Sequence, residues 1–142
     1  MNSSAWGPAG QDPGDAGDGP HAPATVTFGE AVARGLQLFV TFSGRASRSE
    51  YWWFFLFVLL ASFGTALLVE AAVGADGEAF IGLVVLALMV PHLAVASRRL
   101  HDTDKSAWWL LIVLVPFGGV VLLVLLALEP TPGPNRFGPA PA

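Results

Sequence analysis

The sequence predicts an all-α integral membrane protein, with three transmembrane helices preceded by a short amphipathic interfacial helix. Three observations carry this. Of 142 residues, 54% are hydrophobic and only 13% charged, about half the charged share of an ordinary soluble domain. The apolar residues are gathered into three long runs rather than spread with the period of a soluble core. Six of the seven basic residues flank those runs on one side, as the positive-inside rule requires of cytoplasmic segments.

Taken in order, residues 1–27 are rich in Gly, Pro, Ala and Asp, with a single Trp6. Such a tail has too little apolar surface to offset the entropy of ordering it, so it is expected to be disordered. The first long apolar run begins only near Tyr51. That is too far from Met1 for a signal peptide, and the run is expected to insert uncleaved. Over 28–42, Phe28, Val32, Leu36, Phe39 and Val40 recur at three- and four-residue steps, with Glu30, Arg34 and Gln37 between them. This is a short amphipathic helix, too short to span, that is expected to lie flat in the cytoplasmic interface or on the ends of the bundle.

The three spans are expected at 51–73, 79–97 and 108–128, each close to the ~20 residues that cross ~30 Å of hydrocarbon. Tyr51, Trp52 and Trp53 open the first and Trp108 and Trp109 the third, so these ends belong at headgroup level on one side. Arg34, Arg45 and Arg48 precede the first span, and Arg98, Arg99 and Lys105 lie between the second and third. The N-terminus is therefore expected in the cytoplasm. Within 108–128, Pro116-Phe117-Gly118-Gly119 falls at mid-run. It suits either a kinked crossing or the tip of a re-entrant hairpin. Some 21 residues suffice for one crossing, and that simpler reading puts the C-terminal tail, 129–142, outside.

Composition excludes several function classes. A net charge of -4 without a basic stripe argues against nucleic-acid binding. The absence of Cys rules out disulfides, thiol nucleophiles and thiolate metal sites. The polar residues worth weighing are few. Ser47 and Glu50 fit a capping box ahead of the first span. Arg45 and Arg48 beside them suit plain topology or anionic lipid headgroups. In the stretch 97–106, the four-residue spacing of Arg98 and Asp102 predicts an ion pair at the end of the second helix, with His101 able to donate to a carboxylate or sense pH. His101, Asp102 and Asp104 fall short of a metal site, and no metal or other cofactor is expected. Pro91 frees the carbonyl of Ala87 within the second span, beside His92, an intramembrane residue suited to interhelical hydrogen bonding. Glu70, near the outer end of span one, can snorkel to the headgroups. Ala61, Ser62, Gly64, Thr65 and Ala66 would permit close helix contact in the first span.

Three segments read together carry a resemblance: Gly44-Arg45-Ala46-Ser47-Arg48-Ser49-Glu50-Tyr51-Trp52; then Arg98-Arg99-Leu100-His101-Asp102-Thr103 with Ser106 and Trp108-Trp109; and Gly133-Pro134-Asn135-Arg136-Phe137-Gly138-Pro139. Over about residues 28–139 the chain resembles the DUF805 family of small bacterial inner-membrane proteins. That family often carries Gly where Asp104 and Ala107 stand here. The resemblance implies location and architecture and supplies no reaction.

The candidate site is thus a polar cluster of Arg45, Arg48, Glu50, Arg98, Arg99, His101 and Asp102, with His92 apart from it in the membrane. Asn135 and Arg136 complete it if the tail returns to the cytoplasmic side. No nucleophile–base pair is visible, so no catalytic residue is assigned. The leading expectation is a non-enzymatic protein whose cytoplasmic Arg/His/Asp surface binds lipid headgroups or a partner protein. A homo- or hetero-oligomeric transporter or channel subunit is the alternative, weakened by the lack of a polar stripe along the spans.

Overall fold

The computed structural model describes residues 25–141, all helix, turn and loop apart from one isolated bridge. The expected disorder of residues 1–24 lies outside the described residues. The last part of that expected tail belongs to the fold, because Val26 is buried and Thr27 caps the first helix.

Helix α1, Phe28–Gln37, starts on a reciprocal cap. The Thr27 hydroxyl oxygen accepts from the Glu30 N–H at 3.4 Å, and the Glu30 carboxylate accepts from the Thr27 N–H at 2.9 Å. These bonds satisfy donors that a helix start leaves free. The helix is shorter than the expected 28–42, because 38–40 leave it as a turn. Its apolar side is shared between two environments. Ala31 and Gly35 are buried, while Phe28 and Leu36 remain exposed. Gly35 sits so close to the Phe54 ring that a Cβ there would lie 2.2 Å from it.

Helix α2, Arg48–Val73, is N-capped by Ser47 and ends on Gly74 at φ 63°. A 3-10 turn, Gly74–Gly77, reverses the chain into α3, Glu78–Asp102. These two antiparallel helices correspond to the first two expected spans, and each is long and apolar enough to cross a membrane. Helix α3 runs on through Pro91 and continues past the expected end at 97, so 98–102 are helical. It stops in a Schellman motif: Lys105 N–H donates to Leu100 O at 2.9 Å and Asp104 N–H to His101 O at 3.0 Å. Asp104 takes the left-handed position, at φ 57°, where Gly is the usual occupant.

The third expected span is not one helix. A 3-10 arm, Ala107–Leu114, leads to a reversal at 115–117, and α4, Gly118–Ala127, returns along it. Three features break the run. Pro116 has no N–H to continue a helix, Phe117 adopts a left-handed φ of 64°, and Gly118 lets the arms touch. A Cβ on Gly118 would lie 1.6 Å from the Ile112 carbonyl oxygen. At ~2.0 Å per residue in a 3-10 helix and ~1.5 Å in an α-helix, the arms reach about 16 and 15 Å. Each is half a bilayer core.

Burial is concentrated at one end of the bundle. Tyr51 and Phe54 from the start of α2, Val95, Ala96 and Leu100 from the end of α3, and Leu126 from the end of α4 form the core. Away from it the helices are bare: Leu67 and Leu68 are more than 70% exposed, and Phe63, Leu83 and Leu86 are also open. The small-residue stripe of α2 makes no close contact at Gly64, where a Cβ would meet nothing within 4 Å. The tight approaches to α2 come instead from Gly35, against Phe54, and from Gly77, against Val69.

Candidate functional site

At the end of the bundle that holds the core, four chain segments converge: the loop before α2, the first turn of α2, the last turns of α3 and the segment after α4. Asp102 is the centre. One carboxylate oxygen accepts from Arg45, at 2.9 Å from Nε and 2.8 Å from Nη2, and the other accepts from Arg99 Nη1. All three side chains are 0–1% exposed. A lone buried charge would cost several kcal/mol. Two cations facing one carboxylate are retained here because their remaining donors are also met.

Those donors go to the C-terminal segment. Arg99 Nε donates to Leu126 O at 2.9 Å, and its Nη2 donates to Leu128 O. These are last-turn carbonyls of α4, which have no partner inside the helix, so the guanidinium also caps it. Arg45 Nη2 donates to Thr131 O at 2.8 Å and Nη1 to Gly133 O at 2.6 Å. Thr131 N–H donates to Asp102 O at 2.9 Å, and Asn135 Nδ2 donates to His101 O at 2.8 Å. The planar, multi-donor guanidinium suits this task, since one side chain can hold a carboxylate and several carbonyls at once.

A second ion pair lies beside the first. Arg98 Nη1 donates to Glu50 at 3.0 Å, with Arg34 of α1 at 3.9 Å from the same carboxylate. Arg98 and Glu50 are both buried, and Arg98 Nε and Nη2 have no hydrogen-bond partner among the described residues. The Arg98 carbonyl accepts from Ala46 N–H at 3.0 Å, and Ser97 Oγ donates to Phe42 O at 3.2 Å. Together they tie the loop before α2 to α3.

His101 is placed by stacking. Its ring lies 3.9 Å from that of Phe137 and 4° from parallel, with Nδ1 3.1 Å from Gly44 O. Arg136 covers the other partner of that stack, 4.7 Å above the Phe137 ring, and pairs with Asp104 at 3.1 Å.

Eight of the nine residues of the expected cluster thus come together. Arg48 lies beside them but is exposed, with its side chain outside these bonds. The pairing differs from the spacing argument: Asp102 takes Arg99, three residues away, and Arg45, while Arg98 turns to Glu50. Positions three and four apart share a helix face equally well, so long-range partners decide between them. Ser47 caps α2 as expected, but the Glu50 side chain serves the ion pair rather than a capping box. The complete capping box is Thr27-Phe28-Gly29-Glu30. Its T-x-x-E pattern ahead of an apolar-periodic segment was the signal for it. Asp104, Asp102 and His101 diverge into three different contacts, to Arg136, the two arginines and Phe137. His92 stands apart, its ring centroid 6.0 Å from Tyr51 and 5.7 Å from Phe55.

The same bonds place the C-terminal segment in the fold. Residues 128–138 lie at the end of the bundle that carries Arg45 and Asp102, so Asn135 and Arg136 belong to the cluster and the tail is not at the opposite end. Sequence reasoning had no means to identify the backbone carbonyls of 126–138 as the main ligands of Arg45 and Arg99.

Known proteins share these segments. A family model described as "Protein of unknown function (DUF805)" matches residues 39–139, leaving α1 outside it. "Inner membrane protein YhaH" of Escherichia coli (strain K12) is 43% identical over 111 residues, covering 75% of this chain and 91% of its own length. "Inner membrane protein YhaI" of the same strain is 44% identical over 109 residues, covering 75% and 90%. No solved structure matches.

Proposed function

The chain belongs to the DUF805 family, and from that we propose a non-enzymatic protein of the plasma (inner) membrane whose cytoplasmic face binds anionic lipid headgroups. In this reading α2 and α3 cross the bilayer, the hairpin 107–127 enters the cytoplasmic leaflet and turns back, and both termini are cytoplasmic. The observation that carries it is the attachment of residues 126–138 to Arg45, Arg99 and His101. That attachment brings all seven Lys/Arg to one end of the bundle, against three carboxylates, Glu70, Asp76 and Glu78, at the other. Positive-inside asymmetry supports the orientation, and the exposed apolar flanks of α2 and α3 support lipid as their surroundings.

Headgroup binding then falls to the cations not spent inside. Arg45, Arg98 and Arg99 are committed to Glu50, Asp102 and backbone carbonyls. Arg34 and Arg48 reach the surface beside Trp52, Trp53 and Phe28. A cation near a leaflet of negative potential is worth about 1 kcal/mol. Against catalysis, the buried charged groups are paired with each other rather than poised toward a cavity. Purification in native nanodiscs with lipid analysis tests the reading. Anionic phospholipid should be enriched over the bulk membrane and fall toward the bulk ratio in Arg34→Gln/Arg48→Gln. A bulk-like lipid ratio together with a stoichiometric protein partner would replace headgroup binding with partner binding.

A further inference from the structure

We infer that the molecule is a wedge that sorts to membrane curved with its cytoplasmic leaflet on the convex side. The inference rests on the topology just proposed and concerns the area the chain occupies at each depth. Of the described elements, only α2 and α3 stand in the outer half of the bilayer, joined by the tight turn Gly74–Gly77. In the cytoplasmic half, the 3-10 arm and α4 stand beside them, and α1 lies at the edge.

The arms are held at that depth from one end. Ser106 and the Schellman turn fix the start of the 3-10 arm, and Arg99 holds the last carbonyls of α4. With arms of ~15 Å, the tip reaches about the bilayer midplane and no farther. Its residues are apolar and open: Phe117 is 87% exposed, and Leu114 and Val115 are exposed beside it. A surface of that chemistry at that depth is covered by the acyl chains of the cytoplasmic leaflet.

Helix α1 adds to the same leaflet. Ala31 and Gly35 face α2, Phe28 and Leu36 are open, and Glu30, Arg34 and Gln37 occupy the other side of the helix. This places Phe28 and Leu36 toward lipid at the interface, the position of a shallow amphipathic wedge. A helix with side chains is ~10 Å across, so each arm adds about 80 Å² to the cytoplasmic leaflet, with none of the described residues to match it outside. Lipid packing relaxes around such a shape when that leaflet is stretched. The mid-chain cluster Pro116-Phe117-Gly118, which the polar cluster leaves unexplained, thereby acquires a role.

The test uses the full chain in giant vesicles from which narrow tubules are pulled. The chain has no Cys, so Ala140→Cys labelled with a membrane-impermeant dye marks only molecules whose tail faces outward, on the convex side of the tubule. These should be enriched in the tubule over the parent vesicle, as expected of a curvature-sensitive insertion. Leu114→Asn/Phe117→Asn, whose polar tip can no longer sit among the acyl chains and so draws the hairpin out of the leaflet, should lower the ratio toward one. Equal density in tubule and vesicle, or an unchanged ratio in the tip variant, would overturn the wedge while leaving the topology intact. A chain carrying both Asp76→Cys and Ala140→Cys that takes two outside labels would instead overturn the topology beneath it.

Discussion

Asp102 is one carboxylate shared by two buried guanidinium groups, and each arginine reaches past it to carbonyls of the C-terminal segment. Removing its charge therefore strands both cations at once. Asp102→Asn should destabilise the protein in detergent by about 3–5 kcal/mol, the range for breaking a buried pair by deleting one partner. Thermal unfolding followed by near-UV absorbance or aggregation reads this. The neighbouring pair separates this arrangement from the one that spacing suggests. In a double-mutant cycle, Arg98→Met and Glu50→Gln should couple by roughly 0.5–3 kcal/mol. Arg98→Met with Asp102→Asn should couple by less than that. A larger coupling for the second pair would restore the contact expected from the four-residue interval. The sequence exposed which residues are polar and near one another on α3, but not the choice between Arg98 and Arg99, because that choice depends on loop 42–47 and on carbonyls more than twenty residues away.

At the scale of the elements, α2 and α3 were legible because length and uniform apolarity suffice for a crossing helix. The run 108–128 has the same length and apolarity yet folds back. Periodicity is blind to this, since every face of either form is apolar; only Pro116, the left-handed Phe117 and Gly118 distinguish them. Gly118→Ala places a methyl group against the Ile112 carbonyl oxygen, at 1.6 Å in the unrelaxed backbone. It should cost at the upper end of the roughly 1–3 kcal/mol of an overpacked site, and in detergent proteolysis near 115–118 should accelerate. Gly119→Ala, with open space around it, should cost far less, which makes the pair a controlled comparison. Helix α1 carries a pH dependence of its own. The Thr27 backbone N–H, then its hydroxyl, hold the Glu30 carboxyl below its usual range. A depressed carboxylate contributes stability above its unfolded pKa and loses it as pH falls through the folded value. Hydrogen exchange of the α1 amides should therefore be slower at neutral pH than in acid after correction for intrinsic rates, and Glu30→Ala should abolish the difference.

For the whole molecule, the central claim is that the C-terminal segment and every Lys and Arg lie on one face. The ends of α2, α3 and α4 and residues 128–138 are fastened there by Arg45, Arg98, Arg99 and His101. The composition made the membrane setting plain, and the positions of the basic residues gave an expected orientation for the first two helices. The packing of 128–138 onto Arg45 and His101 was not legible, because Arg136 alone weighs little against a span of plausible length. Single-cysteine accessibility in intact cells tests the claim most directly, on a chain that has no native Cys. Cysteines placed at Asp76, Phe117 and Ala140 should divide as follows: only Asp76→Cys reacts with an impermeant thiol reagent added outside, Ala140→Cys reacts after the membrane is opened, and Phe117→Cys stays protected at the hairpin tip. Labelling of Ala140→Cys from outside in sealed cells would contradict the account, since a third crossing would then separate the tail from the arginines that are bound to it.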